Sequence, residues 1–404
     1  MHKRISVEQL RPGMFIHDLN TGWLGHPFAR SRFALKDEGQ IDQIREAGIR
    51  ELYIDTARGL DAQGATDTAE VKADIEREIL KIGEEEPPPL RRVTLDEELD
   101  RAGEIQSQAR RVVRDMMHDV RLGGQIELDA MEPLVEKMTE SILRNSGALL
   151  SLGRLKSVDN YTFEHSVSVC ALMIAFARTM DLDAAKIREF GLGALLHDVG
   201  KAHTPIEILN KPGKFTDAEF AIMKRHPADG HAILKQYPSL SAVPLAIALQ
   251  HHERMDGSGY PHKRRGEEIA FAAQMAAIVD VYDAISSDRV YHKGLPPAEA
   301  VRKIFEWSRH HFNPDLVKVF VRSIGIYPVG ALVRLESRKL GWVTEQNPDH
   351  LLKPRVKVFF DAERRCALEP VEIDLAAANG SGGGDRIESY EDPRAWGIRD
   401  EHTQ

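Results

Sequence analysis

GLGALLHDVGK, residues 191–201, decides the fold, because an apolar helix ends there on a histidine and an aspartate. Gly193 and Ala194, one turn before His197, leave room for a close neighbour, and Gly200 is placed to end the helix. Adjacent residues on a helix point about 100° apart. His197 and Asp198 therefore diverge too far to chelate one ion easily, but they suit two ions a few ångströms apart, and a carboxylate can bridge both. The stretch predicts a helical domain around a metal pair.

The other ligand-capable residues lie on both sides of it. Of the 17 histidines, 11 fall between His165 and His311, where an even spread would give about six. His165 shares a helical stripe with Val169, Leu172 and Phe176, so it faces a core. His226 precedes Pro227, and His251 and His252 close the apolar helix AVPLAIALQHHE. Asp280 and Asp283 sit one turn apart in FAAQMAAIVDVYDAI, an expensive place for carboxylates without cations. Each residue alone has a mundane reading as a core or surface side chain. Together, at the ends or apolar faces of successive helices, they point to metal.

Composition narrows the rest. With 42% hydrophobic and 29% charged residues and no run of 18 apolar residues, the 404-residue chain reads as a soluble protein without a membrane span. Its N-terminus, MHKRISVEQL, lacks the apolar core of a signal peptide, so a cytoplasmic location is expected. Cys170 and Cys366 form no CxxC pair, which leaves neither a disulfide framework nor a thiolate zinc site. A net charge of −9 excludes nucleic acid as a general partner, though a local basic pocket could still take a small anion.

Patterning divides the chain into five parts. Residues 1–60 read as a small α/β module, with strands in MFIHDL, RFALKD and IRELYID and a helix in DEGQIDQIREAG. Residues 61–98 read as an acidic linker containing EEEPPP, and 99–147 as a helical connector with Ile105, Ala109, Val112 and Met116 on one face. The linker predicts that residues 1–145 are separable from the chemistry. Residues 148–325 form the helical metal domain, and 326–404 a small β module (ALVRL, GWVTE, RVKVFF) with a glycine-rich tail. The expected fold class is mainly α.

HDVGK, the His-Pro at 226–227 and HHERMDGSGYP (251–261) resemble, in order and interval, the HD-GYP family of metal-dependent phosphohydrolases. The resemblance covers roughly residues 150–325. The first 60 or more residues resemble a module of unknown function often found ahead of such domains. The resemblance implies an HD-type helical bundle around two divalent ions, iron or manganese, and hydrolysis of cyclic di-GMP to pGpG or GMP. By motif, one ion takes His165, His197, Asp198 and Asp280, and the other takes Asp198, His226, His251 and His252. Asp198 is then the bridge, and the paired histidines cap the second ion.

Asp198 and Lys201 are the expected catalytic residues. Lys201, three residues past the bridge, is placed to reach a phosphate oxygen or the leaving 3' oxygen. Gly259, Tyr260, Arg289, Tyr291 and Lys293 complete the expected substrate side, with His292 standing where the family often has another basic residue. Some members hold a third ion on a carboxylate one turn before the first histidine. Tyr161 occupies that position here, so two ions are expected. The alternatives are hydrolysis of another cyclic nucleotide, such as 3'3'-cyclic GMP-AMP, or a catalytically silent sensor. The resemblance also admits a GGDEF-type diguanylate cyclase, an adaptor protein or a second copy as partners.

Overall fold

The computed structural model describes residues 1–21, 28, 32–84, 93–153, 161–211, 213–287, 294–347, 350–377 and 384–398, with the backbone alone for Tyr161 and Thr162. The N-terminal module is an antiparallel sheet of β1 (His2–Ser6), β2 (Phe15–Asp18), β3 (Phe33–Ala34), β4 (Glu51–Asp55) and β5 (Thr66–Asp67), in the order β3-β2-β4-β1-β5. Helix α1 (Glu38–Glu46) is capped by Asp37, whose side chain accepts the Gln40 amide at 3.0 Å. It buries Ile41 and Ile44 against Ile5, Ile16, Leu52 and Ile54 of the strands.

Beyond the sheet, the expected acidic linker is corrected. Thr68–Gly83 is a helix, α2, whose Val71, Ile75, Ile79 and Ile82 form a buried stripe in the main core. Its charged residues lie on the opposite face, so composition hid an amphipathic pattern. Of EEEPPP, only Glu84 lies within the described residues.

The connector is part of the bundle as well. Helices α3 (Leu95–Arg121) and α4 (Leu128–Arg144) bury Ala109, Val113, Leu134, Val135, Met138 and Ile142 in the same core as the metal domain. They are joined by a two-point pair, Arg144 Nε and Nη2 to Glu98 Oε2 and Oε1 at 2.8 and 2.9 Å, with Glu98 buried. A cut at residue 145 would strip this surface, so the expected separability does not survive.

The bundle continues with α5 (Ser146–Leu152), α6 (Tyr161–Thr179), α7 (Ala184–Leu196), a tight turn at Val199–His203, α8 (Ile206–Leu209), α9 (Asp217–Met223), α10 (His226–Leu234), α11 (Ala242–Gln250), α12 (Phe271–Ser286), α13 (Pro297–Trp307) and α14 (Pro314–Ile324). Residues 167–177 of α6 are buried all round, as suits a central helix. The C-terminal module is a second antiparallel sheet, β6 (Leu332–Leu335), β7 (Lys339–Glu345), β8 (Arg355–Asp361), β9 (Cys366–Asp374) and β10 (Ile387–Tyr390), ordered β10-β6-β7-β8-β9. Among the described residues no helix is long and apolar enough to cross a membrane.

Candidate metal centre

The backbone brings the separated histidines together through close approaches. A Cβ at Gly193 would lie 2.6 Å from Ile247 Cδ1 and 3.1 Å from Pro244 Cα, so its absence lets α11 pack on α7. Gly200 does more than end a helix. A Cβ there would stand 2.0 Å from the His226 carbonyl oxygen and 2.5 Å from the Gly230 amide nitrogen. The turn after Asp198 and the start of α10 are thus in backbone contact. Arg121, at the end of α3, holds the same turn by donating to Ala202 O at 3.1 Å.

Asp198 is the hub. Its Oδ2 faces His197 Nε2 at 3.2 Å, His165 Nε2 at 3.8 Å and Lys201 Nζ at 2.5 Å. Its Oδ1 faces His226 Nε2 at 3.3 Å and His251 Nε2 at 3.8 Å. Asp280 Oδ1 lies 3.0 Å from His165 Nε2, and its Oδ2 lies 3.7 Å from His252 Nδ1. His165, His197 and Asp280 offer donor atoms within 4.8 Å of one another, as do His226, His251 and His252. All seven expected ligands therefore meet, in two groups that Asp198 joins through its two oxygens and that Asp280 also spans.

Hydrogen bonds at the far side of each ring decide where the lone pairs point. His197 Nδ1 donates to Ala194 O at 2.7 Å, His226 Nδ1 to Met223 O at 2.7 Å, and His251 Nδ1 to Ile247 O at 3.0 Å. The Nε2 of His226 and the Nε2 of His251 are then bare acceptors turned inward. His226 Nε2 and His251 Nε2 face each other at 3.3 Å, two lone pairs that want a cation between them. His197 Nε2 and Asp198 Oδ1 are buried with no hydrogen-bond partner among the described residues. This donor set fits a metal pair.

Protonation agrees. Burial pushes His226 down to about 3 and His251 to about 4, so both are neutral near pH 7. Burial would raise the Asp198 carboxyl, yet His197 and Lys201 hold it well below the usual carboxylate range. Asp280 is likewise held down, against burial, by the hydrogen bond from His165 and the nearness of His252.

The chain matches a domain of unknown function, DUF3391, over residues 2–131 and the HD domain over residues 137–316. A cyclic di-GMP phosphodiesterase of Pseudomonas aeruginosa is 46% identical, over 99% of this chain and 94% of its own length. The chain belongs to the HD-GYP family. A cyclic di-GMP phosphodiesterase of Vibrio cholerae is 39% identical over 43% of this chain and 38% of its own. A 3'3'-cGAMP-specific phosphodiesterase of that species is 37% identical over 44% and 41%. Among solved structures, an HDG"Y"P protein from Bdellovibrio bacteriovorus aligns with a TM-score of 0.48 at 20% identity, over 79% of this chain and 98% of that chain. The junction of the two family matches, between residues 131 and 137, falls inside α4, ahead of the boundary at 147–148 expected from patterning.

On the substrate side of this HD-GYP domain, Gly259 and Tyr260 lie within the described residues. Tyr260 stacks on His252, ring centroids 4.6 Å apart, and so covers the second histidine group. Gly259, expected at the substrate, also lets the loop fold tightly on itself, since a Cβ there would lie 2.5 Å from His252 O, Glu253 Cα and Arg254 N. Arg289, Tyr291 and Lys293 lie outside the described residues.

Several site residues were not foreseen. Asp283 Oδ2 accepts from His165 Nδ1 at 2.6 Å and fixes that ring, a role that sequence allowed only as a second costly carboxylate. Glu253, buried beside the histidine pair, accepts the His262 and Arg264 amides at 2.8 and 3.0 Å and shapes the glycine loop. Glu164 is buried and pairs with Arg110 of α3 at 3.3 Å.

Proposed function

We propose that this chain hydrolyses cyclic di-GMP, releasing pGpG or GMP. The observation that carries the reading is Asp198, which turns one carboxylate oxygen to each histidine group. The names of the Pseudomonas and Vibrio relatives favour the same substrate. Two divalent ions, iron or manganese, would be held by His165, His197, Asp198 and Asp280 and by Asp198, His226, His251 and His252, supplying an acidified water and positive charge for the phosphodiester. Two rather than three is favoured by Glu164, the nearby carboxylate, being paired with Arg110.

The chain's own groups do the rest. The carbonyl-bound imidazoles keep their lone pairs fixed without reorganisation. Lys201, partly exposed and 2.5 Å from Asp198, stands at the mouth, where its ammonium can meet a phosphate oxygen and hand a proton to the leaving 3' oxygen. Tyr260 closes one wall beside His252. Arg289, Tyr291 and Lys293 are proposed for the substrate's phosphates and bases on the family pattern.

The reaction is assigned to the cytoplasm, in keeping with free Cys170 and Cys366. A GGDEF-type cyclase, an adaptor or a second copy as partner rests on the resemblance. Chromatography of products from cyclic di-GMP and from 3'3'-cyclic GMP-AMP, with wild type and Asp198→Ala, tests the proposal. Turnover of cyclic di-GMP that Asp198→Ala abolishes supports it. Preference for the mixed dinucleotide supports the reading suggested by the second Vibrio relative, and binding without turnover of either would make the chain a sensor.

A further inference from the structure

The six histidines outside the 165–311 segment are not all idle. Strands β2, β4 and β1 are neighbours in the N-terminal sheet. His2 of β1 is the direct cross-strand partner of Asp55 of β4. On the other side of β4, the register with β2 shifts between Ile16 and Asp18, so His17 is the bulged residue. A bulge re-aims a side chain. Here it brings the His17 ring against His2, centroids 3.6 Å apart and planes within 20°.

Two imidazoles and a carboxylate thus share one patch of the module; the stacked rings hold their lone pairs nearly parallel, so joint ligation requires the exposed His2 ring to turn out of the stack. His2 Nε2 lies 3.7 Å from Asp55 Oδ2, and one donor atom from each of His2, His17 and Asp55 falls within 4.8 Å of the others. The frame around them is fixed. The Ala57 amide donates to Asp55 Oδ1 at 3.0 Å and the Met1 amino nitrogen lies 3.5 Å from the same oxygen, so Oδ2 is the one turned to His2. Thr68 Oγ1 donates to the His2 carbonyl at 2.8 Å, pinning the strand that carries His2. The Asp55 side chain is mostly covered, at 12% exposure, while His2 at 42% opens the patch to solvent.

We infer that His2, His17 and Asp55 form a second metal site, separate from the catalytic centre, for a divalent transition cation of the zinc, nickel or copper type. Two imidazoles with one carboxylate suit those borderline ions, whereas magnesium and calcium prefer all-oxygen shells. Three protein ligands with one open side make an exchangeable site rather than a closed structural one.

Its position gives it a route to the catalytic domain. The residue after His17, Asp18, pairs with Lys303 of α13 at 3.2 Å. Asn20 accepts from Lys303 and from Trp307 Nε1, each at 3.1 Å. From β4, the Tyr53 hydroxyl donates to Glu306. The strands that carry the ligands are the strands that dock the module, so occupancy would be felt at α13.

Tag-free full-length protein with its catalytic centre already loaded with manganese is titrated with zinc, and bound zinc and manganese are counted per chain after desalting. Wild type should bind one divalent ion per chain beyond the catalytic complement, counted as zinc plus manganese because zinc can replace manganese on imidazole ligands. His17→Gln and Asp55→Asn should each lose that equivalent, with unfolding temperature and the catalytic complement unchanged in His17→Gln. Retention of the extra ion in both variants, or no extra equivalent in wild type, overturns the assignment. Because bound metal is the readout, failure here is distinguishable from failure of the proposed phosphodiesterase activity.

Discussion

Adding one methyl group at Gly200 should damage the metal centre without touching a ligand. The new Cβ would stand 2.0 Å from His226 O, 2.5 Å from Gly230 N and 2.9 Å from His226 C, all backbone atoms that no rotamer change can move. Non-bonded heavy atoms settle about 3.5 Å apart, so α10 must back away by roughly 1 Å or more. His226 leads α10, and its Nε2 is 3.3 Å from Asp198 Oδ1, so the shift opens the second ligand group. Overpacking of this kind costs about 1–3 kcal/mol, which for a domain of this size lowers Tm by about 2–10 °C. A misplacement near 1 Å costs on the order of 100-fold in rate. Gly200→Ala should therefore lose about that factor in hydrolysis and give up metal from the His226 side. Gly230→Ala is the control. Its Cβ would meet Gly200 N at 3.2 Å and Val199 Cγ1 at 3.5 Å, contacts that need only small adjustment. Thermal unfolding, metal content and product formation measured side by side would refute the reasoning if Gly200→Ala matched wild type in metal and rate.

Three further outcomes follow from single contacts. Asp283→Ala frees the His165 ring, and metal affinity measured by chelator competition should fall roughly 10- to 100-fold, as for other partners behind a ligand histidine; unchanged affinity would remove Asp283 from the site. Lys201→Ala should keep both metals and lose turnover by about 100-fold or more, whereas loss of metal would make Lys201 a support for Asp198. The Glu98 pair gives a pH signature. Burial raises the Glu98 carboxyl, but the two hydrogen bonds from Arg144 outweigh it and hold the pKa below its ordinary value of 4.5. Its stabilisation is thus present above about pH 4.5 and is lost as pH falls through the lower folded value. The Tm difference between wild type and Glu98→Gln should be widest at neutral pH and shrink on acidification; a gap constant with pH would contradict this.

Much of the centre was legible because its residues occur in short, dense segments. HDVGK and HHERMDGSGYP each place several functional groups within one turn or loop, and burial of charge on an apolar helix marked Asp280 and Asp283. What stayed hidden depends on partners far away in sequence. Asp283 meets His165 across 118 positions, and Arg121 reaches the turn at Ala202 from another helix. Gly200 read as a helix stop, since nothing in the chain before it says that α10 will lie against it. Elsewhere polarity misled the reading. The strand HKRIS has few apolar residues because its neighbours, not its composition, make it central in the first sheet. CALEPVEID carries a proline and several acids, which an edge strand such as β9 can tolerate. In α2 the acidic face masked four regularly spaced apolar residues.

The most direct test of the account is to titrate metal-free protein with Fe²⁺ or Mn²⁺ under anaerobic conditions while following cyclic di-GMP hydrolysis against ions bound at the catalytic histidines, in a His17→Gln background that removes the second candidate site. The account predicts that hydrolysis rises as the second ion binds and levels off at two ions per chain. Full activity with one ion, a requirement for a third, or two bound ions without hydrolysis of cyclic di-GMP would contradict it.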